Sequence, residues 1–175
     1  ADALAMLVKS DVVNREGIFL VSDFGTNAEI ALVIDGEIYS CSAAAGPAME
    51  GQAIECGMLA SPGAISDVAP EGTDWQMKVL NSDLKVVDGD IINIADGTVV
   101  KPRDNDTKAR GITGTGVISA YSLGTEQSVI SIPDINTPND KLNLQDGVYL
   151  SEKDLTEIGK ALGAFRAAHI TLCVE

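Results

Sequence analysis

Apolar and polar positions divide the chain into short stretches of changing period. Residues 1–13 carry apolar side chains at 4, 5, 7, 8 and 12, a broad face that predicts an amphipathic helix ended near Gly17. Three runs follow, at 18–23, 28–35 and 37–43, and each reads as a strand. The first is almost wholly apolar, which predicts burial on both faces within a mixed sheet. Asp35-Gly36 marks a hairpin between the second and third runs.

Beyond residue 43 the pattern changes. Small residues fill 42–51, and Pro47 predicts a short helix over 49–58 that ends at Gly57. Ser61-Pro62-Gly63 is a turn. Alternation at 75–80, 84–87, 91–94 and 98–100 predicts strands separated by turns at Asp88-Gly89-Asp90 and Asp96-Gly97. These strands read as a β appendage, followed by a polar loop at 102–108. A glycine-rich loop then enters a helix at 117–123. Residues 126–149 read as loop with short strands, including 141–144 and 147–150. The last helix starts at Ser151 as N-cap, with Asp154 in the capping-box position and an apolar face at 155, 158, 162 and 165.

Composition narrows the function. The chain has 175 residues, which suits one domain or two small ones. A net charge of −14 argues against non-specific binding to nucleic acid or to an anionic membrane surface. No apolar run is long enough to span a bilayer. The three cysteines, Cys41, Cys56 and Cys173, share no metal-binding spacing and read as reduced, buried thiols of a cytoplasmic protein. The chain opens on Ala1 in what reads as mid-helix, so we expect part of a larger protein.

Two glycine turns carry candidate chemistry. In Asp23-Phe24-Gly25-Thr26-Asn27-Ala28-Glu29 a strand delivers an acidic residue to a tight turn. Gly25 lets an anion approach the backbone, and successive N–H groups in such a turn cradle it. Asp23 is placed to hold Mg²⁺, which takes one or two carboxylates plus phosphate oxygens. Ordinary turn chemistry accounts for the same residues equally simply. Gly111-Ile112-Thr113-Gly114-Thr115-Gly116 opens a helix, where free N–H groups and the helix dipole favour anions. It lacks the Gly-Lys-Ser/Thr ending of a P-loop, and a plain glycine-rich connection reads as well. Glu50 reads as a helix-start carboxylate. His169, the only histidine, reads as a helix-end residue without a catalytic role, and no Ser-His or Cys-His pair is apparent.

Together these blocks resemble a known family. Asp23 to Glu29 resembles D-I-G-T-N-x-E, and residues 41–51 resemble C-S-x-A-A-G-P-A-F-E-G. Residues 57–65 resemble G-M-x-A-x-P-G-A-I, and Gly111 to Gly116 resembles G-I-C-G-S-G. The final helix is similar to A-K-x-A-I-R-A-G-I-x-x-L. The family is the C-terminal ATP-binding domain of reductive activators of corrinoid proteins. It belongs to the acetate- and sugar-kinase, chaperone and actin superfamily. The resemblance covers 1–65 and 108–175 and leaves 66–107 as a β-rich insertion.

The resemblance implies an α/β, RNase H-like mixed sheet with flanking helices. It implies ATP-dependent reduction of a corrinoid from Co(II) to Co(I) for a methyltransferase of one-carbon metabolism or methanogenesis. Asp23 would position Mg²⁺ or water, and Gly25, Thr26 and Asn27 would hold phosphate. Glu29 would orient the turn, and Gly111, Gly114 and Gly116 would line the nucleotide cleft. The iron–sulfur cluster, a first phosphate motif and an adenosine motif would lie elsewhere in the parent protein, so this part alone is expected to be inactive. The partner would be a corrinoid protein. Here Phe24 replaces the family's Ile, and Thr113 and Thr115 replace its Cys and Ser. A sugar- or acyl-kinase fragment and a non-catalytic docking module for the corrinoid protein are the alternatives.

Overall fold

A computed structural model describes residues 2–25, 27–43, 51 and 53–174. Among them lie three α-helices: α1 (Asp2–Ser10), α2 (Gly114–Glu126) and α3 (Glu152–Val174). Thr26, Pro47 and Glu50 fall outside the described residues. The chain divides into two compact units, Ala1–Pro47 with Gly159–Glu175, and Ala48–Ile158.

The first unit is an antiparallel sheet of β1 (Ile18–Phe24), β2 (Ala28–Ile34) and β3 (Glu37–Ala43), with β2 in the centre. Asp35 and Gly36 both take positive φ, 48° and 88°, so the β2–β3 hairpin closes in a type I′ turn. Alternate side chains point to opposite faces of the sheet. On one face Leu7 of α1 and Val12 pack on Ala31 and Val33, with Phe19 and Val21 beside them. On the other face the second half of α3 meets the sheet through Phe24 and Phe165, whose rings lie 5.3 Å apart edge-to-face.

The first apolar run was expected to be buried on both faces, and that is corrected here. Ile18, Leu20 and Phe24 are exposed, whereas Ala28, Ile30, Ala31, Leu32 and Val33 are buried. The apolar run is an edge strand among the described residues. The strand with a partner on each side takes the core position.

The second unit holds a five-stranded mixed sheet in the order β7-β6-β5-β4-β8. Its members are β4 (Ala64–Glu71), β5 (Asp74–Leu80), β6 (Val86–Ile92), β7 (Val99–Lys101) and β8 (Gly111–Ile112). Only β4 and β8 pair in parallel within it. Helix α2 packs on β4, where Gly116 brings its backbone against the Ile65 carbonyl. Two ribbons follow, β9 (Ile130–Ser131) with β10 (Asp134–Ile135), and β11 (Lys141–Asn143) with β12 (Tyr149–Ser151). Trp75, Met77, Ile92, Ile112, Leu142, Leu150, Leu155 and Ile158 are buried in this unit's core.

Four further expectations differ from the structure. The cysteines, expected to be buried, are not: Cys41 and Cys56 are half-buried and Cys173 is exposed. Asp88-Gly89-Asp90 is not a turn; β6 runs through it. Gly89 has no Cβ because Gln145 Oε1 occupies that space, and the strand is irregular opposite Met77. Residues 53–56 form bends and a turn rather than the end of a helix. Helix α2 begins at Gly114, earlier than expected, because Thr113 caps it.

Candidate functional site

The acidic turn closes the β1–β2 hairpin. Asp23 lies directly across from Glu29 in the antiparallel register, and Glu29 across from Ser42. Directly opposed residues in such a ladder have Cβ atoms about 4.5–5.5 Å apart. Two half-buried carboxylates therefore share one face at the sheet's end, and neither has a cation partner among the described residues. Like charges placed this way repel. Bound cation would relieve that repulsion.

Gly25 donates its N–H to the Asn27 carbonyl at 3.0 Å, which folds the turn tightly. Its φ is not in the left-handed region, and among the described residues an added Cβ would touch only the Asn27 carbonyl, at an ordinary 3.5 Å. Neither conformation nor packing among the described residues demands glycine there. What the missing side chain leaves is open access to the backbone. Asn27 is exposed at the turn. Thr26, expected to hold phosphate, lies outside the described residues.

The Gly111–Gly116 loop belongs to the second unit. Two of its glycines, Gly111 and Gly116, serve packing. A Cβ on Gly111 would lie 2.6 Å from the Cys56 carbonyl, and one on Gly116 would overlap the Ile65 carbonyl. Thr113 Oγ1 accepts the Gly116 N–H at 3.1 Å, so the helix start is capped from within. Thr113 Oγ1 also meets Thr115 Oγ1 at 2.8 Å, and Thr115 Oγ1 donates to the Ser66 carbonyl at 3.0 Å. The two threonines that replace Cys and Ser in the family pattern thus tie the loop to β4. Gly114 is half-buried at the first position of α2.

A pair that sequence reasoning missed stands beside Asp23. Ser22 Oγ and His169 Nε2 are 2.9 Å apart. They are 147 residues apart in sequence, and no spacing announces them. The expectation of no Ser-His pair is corrected. One ring nitrogen of His169 meets the Phe165 carbonyl of its own helix, and the other faces the sheet. The one available signal was the i, i+4 pairing of Phe165 with His169 on α3 against Ser22 and Phe24 on β1.

The fold is that of the ASKHA class, the acetate- and sugar-kinase, chaperone and actin superfamily. Residues 17–175 match the family model described as the C-terminal, ASKHA domain of RACo, and the chain belongs to that family. It is similar to the [Co(II) methylated amine-specific corrinoid protein] reductase of Methanosarcina barkeri, at 49% identity over 177 residues. That alignment covers 100% of this chain and 32% of the relative, so the chain spans about a third of the relative's length. Among solved structures it is similar to a reductive activator for corrinoid, iron–sulfur protein, with a TM-score of 0.63 and 23% identity. That match covers 96% of this chain and 26% of the other, and it supports the fold.

Proposed function

We propose that this chain is the nucleotide-binding part of an ATP-dependent reductive activator that returns a corrinoid protein from Co(II) to Co(I). Family membership supports the reading, and so does the name of the half-identical relative. The match over residues 17–175 favours the activator over a sugar- or acyl-kinase fragment. In the geometry, the supporting observation is Asp23 opposite Glu29 at the end of an open glycine turn.

Two carboxylates are the donor set that Mg²⁺ uses when phosphate oxygens and water complete its shell. Asp23 and Glu29 would hold Mg²⁺, and the Gly25–Asn27 backbone would hold phosphate. Phosphoryl chemistry of this kind needs positioning and charge neutralisation rather than a protein nucleophile. Mg²⁺ supplies that neutralisation when bound. Gly111, Gly114 and Gly116 would line the nucleotide cleft. The electron would come from an iron–sulfur cluster in another part of the parent protein. A cytoplasmic location belongs to the same proposal, since Cys41, Cys56 and Cys173 are free thiols suited to a reducing compartment.

The test is calorimetric titration of Mg-ATP and a non-hydrolysable analogue into the full-length protein and its Asp23→Ala variant. Loss of Mg-dependent binding in the variant is expected. Unchanged binding would remove the phosphate site from this hairpin.

A further inference from the structure

Asp23 lies near the end of β1, between Ser22 and Phe24. Among the described residues β1 pairs only with β2. A strand end that runs into a turn is free to fray unless side chains anchor it. Here the residues on either side of Asp23 do so, and both reach the same turn of α3.

Ser22 and Phe24 point to the α3 face, and Asp23 points to the opposite one. Phe24 packs edge-to-face on Phe165, with ring centroids 5.3 Å apart, and lies 6.4 Å from the His169 ring. Ser22 Oγ is 2.9 Å from His169 Nε2, and His169 Nδ1 is 2.8 Å from the Phe165 carbonyl oxygen. A carbonyl only accepts, so Nδ1 carries the proton. In the neutral ring Nε2 must then accept, and Ser22 donates its hydroxyl to it. The imidazole is therefore locked at one nitrogen by its own helix and used at the other to hold β1. On β3 of the same sheet, the Cys41 thiol points at the Ala168 carbonyl, 3.7 Å away, and adds a weak third contact.

We infer that His169 is a positioning residue: through Ser22 it fixes the end of β1 so that Asp23 meets Mg²⁺ with its carboxylate in place. The inference rests on the phosphate site proposed above. His169 touches neither metal nor nucleotide. Its effect passes through one hydrogen bond and one strand residue, and it concerns the metal rather than the nucleotide base.

The experiment is ATP titration into the full-length protein, with Mg²⁺ and with the metal chelated, alongside thermal melts. The variants are Ser22→Ala, His169→Ala, both together, and His169→Gln, which keeps an acceptor for Ser22. Each single alanine variant is expected to weaken Mg-ATP about fivefold, the size of one hydrogen bond. The double variant is expected to lose no more than one of them, and His169→Gln to recover most of the loss. Metal-free ATP is expected to bind all variants alike. Ser22→Ala removes one oxygen and keeps the test valid should His169→Ala unfold.

Three results would overturn the inference. The first is wild-type Mg-ATP affinity in both single variants while Asp23→Ala loses it, which leaves the phosphate site standing. The second is an equal loss with and without Mg²⁺, which marks a purely structural role. The third is unchanged binding in Asp23→Ala, which removes the site and the positioning role together.

Discussion

Asp90, 5% exposed in the middle of β6, is held by Arg103 from the polar loop that follows β7. The guanidinium reaches Asp90 Oδ2 at 2.7 Å, and the Arg103 backbone N–H reaches Oδ1 at 2.8 Å. The same Nη1 lies 3.2 Å from Asp146 Oδ2. Removing one partner of a buried pair strands the other charge. Arg103→Met is expected to cost about 3 kcal/mol in urea unfolding, and Asp90→Asn less. Equal stability of Arg103→Met and wild type would show that water reaches Asp90.

Gly89 lies next to that pair, and its missing side chain is filled from across the unit. Gln145 Oε1 accepts the Asp90 N–H at 2.5 Å, and a Cβ at 89 would also press on Met77 and Val79. Gly89→Ala is therefore expected to destabilise by about 1–3 kcal/mol through overpacking. The additional variant Gln145→Ala is expected to make Gly89→Ala less costly, since it empties the contested space. A double-mutant cycle in denaturant measures this coupling.

At the start of α3, Asp154 closes a capping box. Its Oδ2 accepts the Ser151 N–H and hydroxyl, both at 2.8 Å, and its Oδ1 accepts the Glu55 N–H at 2.9 Å. The side chain is fully buried, so its removal leaves Glu55 without an acceptor. Asp154→Ala is expected to cost about 2–3 kcal/mol and Ser151→Ala about 1 kcal/mol. Circular dichroism melts of the two variants check the order.

Tyr149 donates its hydroxyl to Glu55 Oε1 in a short contact. That hydrogen bond, then burial and the Glu55 charge, push the phenol up to about 12. The folded value lies above the ordinary value of about 10, so the neutral phenol is favoured by folding. Its contribution to stability is fully present below about pH 10. It is lost as pH rises through about 12. The stability gap between wild type and Tyr149→Phe is expected to be constant near neutrality and to close in strong alkali. Phenolate absorbance against pH gives the titration directly.

Asp146 titrates in the opposite sense. Burial raises its carboxyl, but the Ala109 N–H, the Gln145 amide and Arg103 outweigh that and hold it below the usual range. Its contribution is present above about pH 4 and is lost as pH falls through the depressed value. Acid unfolding of Asp146→Asn is expected to be less steep than that of wild type.

Local chemistry was legible from the chain. The three strands of the first unit, the Asp35-Gly36 hairpin, the Ser151 cap with Asp154, and the acidic turn at Asp23 all appear where the pattern put them. Each depends on neighbours within a few residues, through side-chain period, positive φ or a cap. The family blocks also lie in short contiguous runs, which is why the resemblance and the family match agree.

The tertiary structure decided what depends on distant partners. Asp88-Gly89-Asp90 carries turn residues, yet Gln145, Asp90's pairing with Arg103 and the β5 register hold it as strand. Gly111 and Gly116 read as an anion loop, and close packing on Cys56 and Ile65 shows a second reason for them. Ser22 and His169 meet only because α3 returns to the sheet. Sequence alone determined which residues could form each turn, cap and strand, because those preferences are local. Which strand is buried, which glycine is filled from outside and which serine finds a histidine were set by packing between segments far apart in the chain. That contribution has no local signature.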